Sequence, residues 1–95
     1  MLLAISLGVF SSGCGHTVFA IQVGSASSKL EEAREIGAEK LAPYEFYFAE
    51  AHLRKARSEA AEADYSDAIE FAEISEEFAE KATRLARQAH RSAGR

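Results

Sequence analysis

Apolar positions along this chain recur at intervals of three and four residues. Phe19, Val23, Ala26, Leu30, Ala33 and Gly37 form one such series, and Phe46, Ala49, Leu53, Ala56, Ala60 and Ala63 form a second. Tyr65, Ala68, Ala72, Ser75, Ala79, Ala82, Ala86, Ala89 and Ala93 form an unbroken third. This spacing puts each series on one stripe of an α-helix, and the period-two alternation of a strand is absent. The pattern predicts helices over about 18–40, 43–63 and 65–93. Pro43, the sole proline, suits the opening turn of the second helix, where a missing N–H costs nothing. Asp64 is placed to cap the third helix, and Asp67 lies near the positive end of its dipole. The start of the first helix has two solutions. It begins near residue 18, with Gly24–Ser28 as a weak point, or near residue 28, where Ser28-Lys29-Leu30-Glu31 fits a capping box and residues 15–27 become a tether.

The third series is nearly all alanine, flanked by Ile69, Ile74, Phe78 and Leu85. At ~1.5 Å per residue this helix is a rod of about 42 Å. Small seam residues let backbones approach closely while the larger flanks close over the sides. The expected fold class is therefore all-α, an antiparallel bundle of two to three long helices built as a helical hairpin plus an N-terminal helix. Charge placement fits this reading. Glu50/Arg54, Glu77/Lys81 and Glu80/Arg84 stand at i, i+4 with the acid first, the favourable order. The third helix is acidic early and basic late, which complements its macrodipole.

The N-terminal part has a different character. Met1–Phe10 is an uncharged apolar run, and Ser11-Ser12-Gly13-Cys14 follows it with the only cysteine of the chain. Small residues closing a short apolar run mark a secretory signal. With cysteine next, the pattern resembles a bacterial lipobox: residues 1–13 as signal peptide, cleavage between Gly13 and Cys14, and lipid on Cys14. Membrane attachment would then run through that lipid, with the mature chain beginning as a lipidated segment over 14–27 and the helical domain spanning 18–93. A signal normally opens with Lys or Arg, yet nothing before Lys29 is charged, so a start upstream of Met1 is expected. A membrane span over this region is disfavoured, because Ser11, Ser12, Gly13, Gly15 and His16 interrupt the run. The chain carries 11 basic and 15 acidic residues, net −4, which argues against nucleic acid as a partner.

Candidate chemistry is sparse. His16, His52 and His90 fall in separate segments, and none belongs to a His-x-x-x-His or Glu-x-x-His pattern, so no metal is expected. No glycine-rich phosphate loop or nucleophile elbow occurs, and the carboxylates lie away from the alanine seam, where no pocket would poise them. Neither enzyme activity nor a cofactor is expected. Two patches are candidates for binding a partner. Tyr44, Tyr47 and Phe48 cluster at the start of the second helix, where they either close the core or present an aromatic anchor. Arg84, Arg87 and Arg91 form a stripe on the third helix, which either complements the dipole or contacts an anionic lipid or protein.

Leu41-Ala42-Pro43-Tyr44-Glu45, then Ala49, Leu53 and Ala56, then Asp64-Tyr65, Ala68, Ala72, Ala79 and Ala82 carry a resemblance. They are similar to the short, alanine-rich, tetratricopeptide-like helical domain of unknown function found in small bacterial outer-membrane lipoproteins, over about residues 19–93. Ser75 departs from the alanine seam, and Phe46-Tyr47-Phe48 is more aromatic than that type. The resemblance implies a bacterial envelope lipoprotein without assigned enzyme activity. Gly15 after the cysteine, rather than Asp, suggests the periplasmic face of the outer membrane by the enterobacterial sorting rule. The expected function is a non-enzymatic helical scaffold or adaptor for an envelope protein partner. The alternative is a self-assembling coiled-coil lipoprotein, a homo-oligomer, because the third seam outlasts the second helix by about two turns.

Overall fold

The structure, a computed structural model, describes residues 14–94, without the side chain of Cys14. The expected signal peptide, residues 1–13, and the Gly13 side of the expected cleavage lie outside the described residues. Four helices follow in order: α1 (Cys14–Glu35), α2 (Ala38–Leu41), α3 (Pro43–Ala61) and α4 (Tyr65–Ala93). Among the described residues there is no strand. The fold class is the expected one, an all-α bundle.

α4 is the spine. α3 packs antiparallel to it, with Ala49 beside Ser75 and Phe48 beside Phe78. α1 runs parallel to α4 along the other flank: Gly15 lies against Tyr65 at one end, and His90 reaches Ile36 at the other. The bundle is thus up–down–up, with α2 as a one-turn corner between the first two long helices.

Three helix bounds differ from the sequence expectation. The described part of the first helix already includes Cys14, so residues 15–27 are helix and not a tether, and the Ser28 capping box lies in a helix interior. Tertiary contact explains this: the Tyr65 ring packs on Gly15, His16 and Phe19 and stabilises turns that glycine and serine alone would weaken. The same helix stops at Glu35 instead of continuing to residue 40. Gly37 takes a left-handed φ of 85°, open to glycine at no steric cost, and its N–H bonds to Arg34 O at 3.0 Å. The second helix ends at Ala61, two residues short of expectation. Asp64 N–H bonds to Glu59 O and Ala63 N–H to Ala60 O, a Schellman closure that puts Ala63 at φ 61°, an unusual place for a residue with a Cβ. α4 has the bounds expected from its alanine series, and Asp64 caps it by accepting from Asp67 N–H at 3.3 Å.

The core is a row of methyl groups. Ala26, Ala33, Ala49, Ala79, Ala82 and Ala86 are fully buried, joined by Leu30, Leu53 and Phe46. Ser75, the odd member of the α4 series, is also fully buried, and its hydroxyl donates to Ala49 O at 2.7 Å. A serine is tolerated there because its polar atom has a partner on α3. The two edges of the bundle differ in chemistry. The α3–α4 edge is closed by half-buried aromatics, with Phe48 stacked between His52 and Phe78 at 4.1 and 4.2 Å between ring centroids. The α1–α4 edge is closed by polar groups.

Candidate functional site

The polar edge begins at Lys29. Its ammonium donates to Glu76 Oε1 at 2.7 Å and also to Glu80, while Gln22 Nε2 donates to Glu76 Oε2 at 2.6 Å. One turn further, Arg87 Nη2 pairs with Glu32 Oε1 at 2.8 Å. His90 Nε2 then donates to Ile36 O at 2.7 Å. These residues are 47 to 55 positions apart in sequence, so local spacing could not announce the ladder. It also redirects the pairs expected within α4. Glu80 is taken by Lys29 instead of Arg84, and Lys81 lies over the Phe78 ring at 5.6 Å instead of pairing with Glu77. The expected Glu50/Arg54 pair does form, at 2.9 Å.

The ladder perturbs its own ionisation. The Lys29 ammonium, with help from Ser25 and Gln22, holds the Glu76 carboxyl below its ordinary value, and Glu76 and Glu80 together raise Lys29. The stability from Glu76 is present above the ordinary glutamate value of 4.5 and is lost as pH falls through its lowered folded value. The stability from Lys29 is present below 10.5 and is lost as pH rises through its raised folded value. Melting temperatures of the wild type and Lys29→Met are therefore expected to differ by a constant amount near neutrality and to converge at both extremes. An undiminished gap at pH 3 would mean that charge contributes nothing to this edge.

The arginine stripe borders the ladder. A cleft of about 280 Å³ is lined by Lys29, Glu32, Glu80, Thr83, Arg84 and Arg87. A second shallow groove, lined by Lys81, Arg84, Leu85, Arg87, Gln88 and Arg91, continues it along α4. The three arginines are not equivalent. Arg87 is committed to Glu32, whereas Arg84 and Arg91 are exposed and make no ion pair or hydrogen bond among the described residues. Two free guanidiniums, seven residues and so about two turns apart on one exposed helix face, suit an acidic partner surface.

The aromatic candidates divide. Phe48 is half-buried and closes the core edge against Phe78. Tyr47 donates its hydroxyl to Glu39 Oε1 at 3.2 Å, which raises its pKa, and its ring meets Phe46 edge-on. Tyr44 is the most exposed of the three, at 65% against 49% for Tyr47, with its ring leaning on Phe48. Tyr44 and Phe48 thus stay together at the core edge, while Tyr47 turns to Glu39.

The histidines go to separate places: His16 against Tyr65, His52 on Phe48, and His90 on Ile36 O. The one close set of three or more carboxylates among the described residues is Glu59, Asp64 and Asp67, with oxygens within 4.8 Å of one another at the α3–α4 corner. Asp64 is already engaged there as the α4 cap. Cys14, the expected lipidation position, is the first residue of α1.

The profile of one family, described as Domain of unknown function (DUF4398), matches residues 22–94, most of the chain. The chain belongs to this family. No curated protein and no solved structure matches it.

Proposed function

We propose that this family member is a lipid-anchored, non-enzymatic protein of the bacterial cell envelope, on the periplasmic face of the outer membrane, serving as a helical scaffold or adaptor. The observation that carries the reading is Ser11-Ser12-Gly13-Cys14 after an uncharged apolar run. Cys14 lies within α1, so lipid on that residue would join the bundle with no intervening linker. Among the described residues no helix is long and apolar enough to cross a membrane. In this reading the lipid is the attachment, and the α3–α4 hairpin is the tetratricopeptide-like part.

The non-enzymatic reading draws support from where the perturbed groups lie. Lys29, Glu76 and Tyr47 are displaced by contacts that join one helix to another, not by a desolvated cavity. The adaptor reading draws support from Arg84 and Arg91. They stand near the Ile36 end of α1, roughly 30 Å from Cys14 at ~1.5 Å per residue, away from the membrane that Cys14 would hold. An acidic envelope protein is the partner we assign to them. The self-assembling alternative drew on the overhang of α4 beyond α3. α2 lies along that overhang, Ala82 and Ala86 are fully buried, and only Ala89 and Ala93 are left partly or wholly uncovered, so the adaptor is preferred.

The anchor has a direct test. Cys14 is the only cysteine, so Cys14→Ser is expected to abolish palmitate incorporation and leave the precursor uncleaved. In the wild type, globomycin should block processing. Labelling that persists in Cys14→Ser would overturn the lipoprotein reading.

A further inference from the structure

We infer that the outer face of the first four turns of α1 docks on a lipid surface, with Val18 and Ile21 seated among the headgroups. This rests on the lipid-anchored reading above and adds to it an orientation for the bundle. Residues 1–28 contain no Asp, Glu, Lys or Arg, although charged residues make up 27% of the chain. The first half of α1 is therefore an uncharged helix surface, whereas the outward sides of α3 and α4 carry Arg54, Lys55, Arg57, Glu70, Glu73 and Glu77.

A single exposed isoleucine on a charged surface would be ordinary. Here Val18 is 50% and Ile21 69% exposed, at i, i+3 spacing on a face that continues to Gly24. Among the described residues that face is open at Gly24, where an added Cβ would meet nothing within 4 Å.

Geometry supplies the occupant. Val18 and Ile21 lie roughly 6 and 10 Å along the axis from Cys14. The polar layer of a leaflet is about 5–8 Å deep. A helix leaving an acylated Cys14 upright would keep Val18 among the headgroups and lift Ile21 just clear of them; a tilt toward the Ile21 side seats both. The charges select the same tilt. Glu62, Asp64 and Asp67 sit at the corner next to Tyr65, which packs on Gly15 and Phe19. Ile21 lies about 120° or more around α1 from that contact, so docking on its face carries the carboxylates away from anionic headgroups.

The chain has no tryptophan, which makes a single reporter unambiguous. Ile21→Trp and, as the control on α3, Tyr44→Trp are to be made in the full chain, processed in cells and reconstituted into phosphatidylcholine vesicles bearing brominated acyl chains. Helical circular dichroism confirms folding of both. The expected result is flotation of both proteins, a blue-shifted and strongly quenched emission from Trp at 21, and solvent-like, unquenched emission from Trp at 44. Flotation with an unquenched reporter at 21, or equal quenching at both positions, overturns the docking and leaves the anchor intact. Failure of both proteins to float overturns the anchor, and the docking falls with it.

Discussion

Phe46→Ala is expected to destabilise the bundle by about 3–5 kcal/mol, the upper range for truncating a buried aromatic. Phe46 is fully buried and is the largest side chain in that state. Its neighbours explain why the loss should not be softened. Ala42 and Ala49 are the core residues nearest to it in sequence, and the facing seams are largely alanine. Alanine has no rotamer with which to fill a void, so the cavity would persist. The Phe46 ring also meets Tyr47 edge-on at 5.4 Å and lies under the Arg34 guanidinium at 5.4 Å. Against a total of about 5–15 kcal/mol for an ordinary domain, the loss is a large fraction. Urea denaturation measures it directly, and melting should drop by roughly 4–8 °C for each kcal/mol. A change under about 1 kcal/mol would mean that the helices collapse onto the gap, contrary to a rigid alanine core.

Ala79→Leu is the second large effect, in the opposite steric direction. Ala79 is fully buried on α4 in the core shared with α1 and α3. Helices whose seams are small approach at about 8 Å, the lower end of the packing range. A leucine has nowhere to go without moving a backbone, and overpacking costs about 1–3 kcal/mol or more. Ala89→Leu provides the contrast. It occupies the same 3-4 series but is only half-buried near the end of α4, so a near-neutral effect is expected. Equal destabilisation of the two variants by chemical denaturation would show that the covered and uncovered parts of the seam do not differ.

The second prediction depends on a distinction that the linear pattern could not draw. Ala79 and Ala89 are equivalent in the three-four series. They become different because α1 and α3 cover the first, while the second lies beyond the buried part of the seam. The arginines repeat the lesson. Arg84, Arg87 and Arg91 read as one stripe, yet Glu32 claims Arg87 and leaves the other two free. Tyr44, Tyr47 and Phe48 read as one patch, yet α4 takes Phe48 and Glu39 takes Tyr47.

Other features were legible because they are local. Pro43 opens α3, and Asp64 caps α4, as their chemistry demands within one turn of the chain. Gly37 falls in an apolar series, and that spacing predicts helix through it. Its left-handed conformation closes the first long helix, an outcome that depends on α1 and α3 packing antiparallel.

Periodicity acts over about four residues, so the chain alone determined that it would be helical, which stripes would be buried, and that methyl groups would line them. Folding brought together groups some fifty positions apart, and only that decided which charges are spent, that residues 15–27 are helix, and which surfaces stay open. A carboxylate such as Glu80 has several cations within reach of its spacing; the one it binds is set by which helix lies beside it.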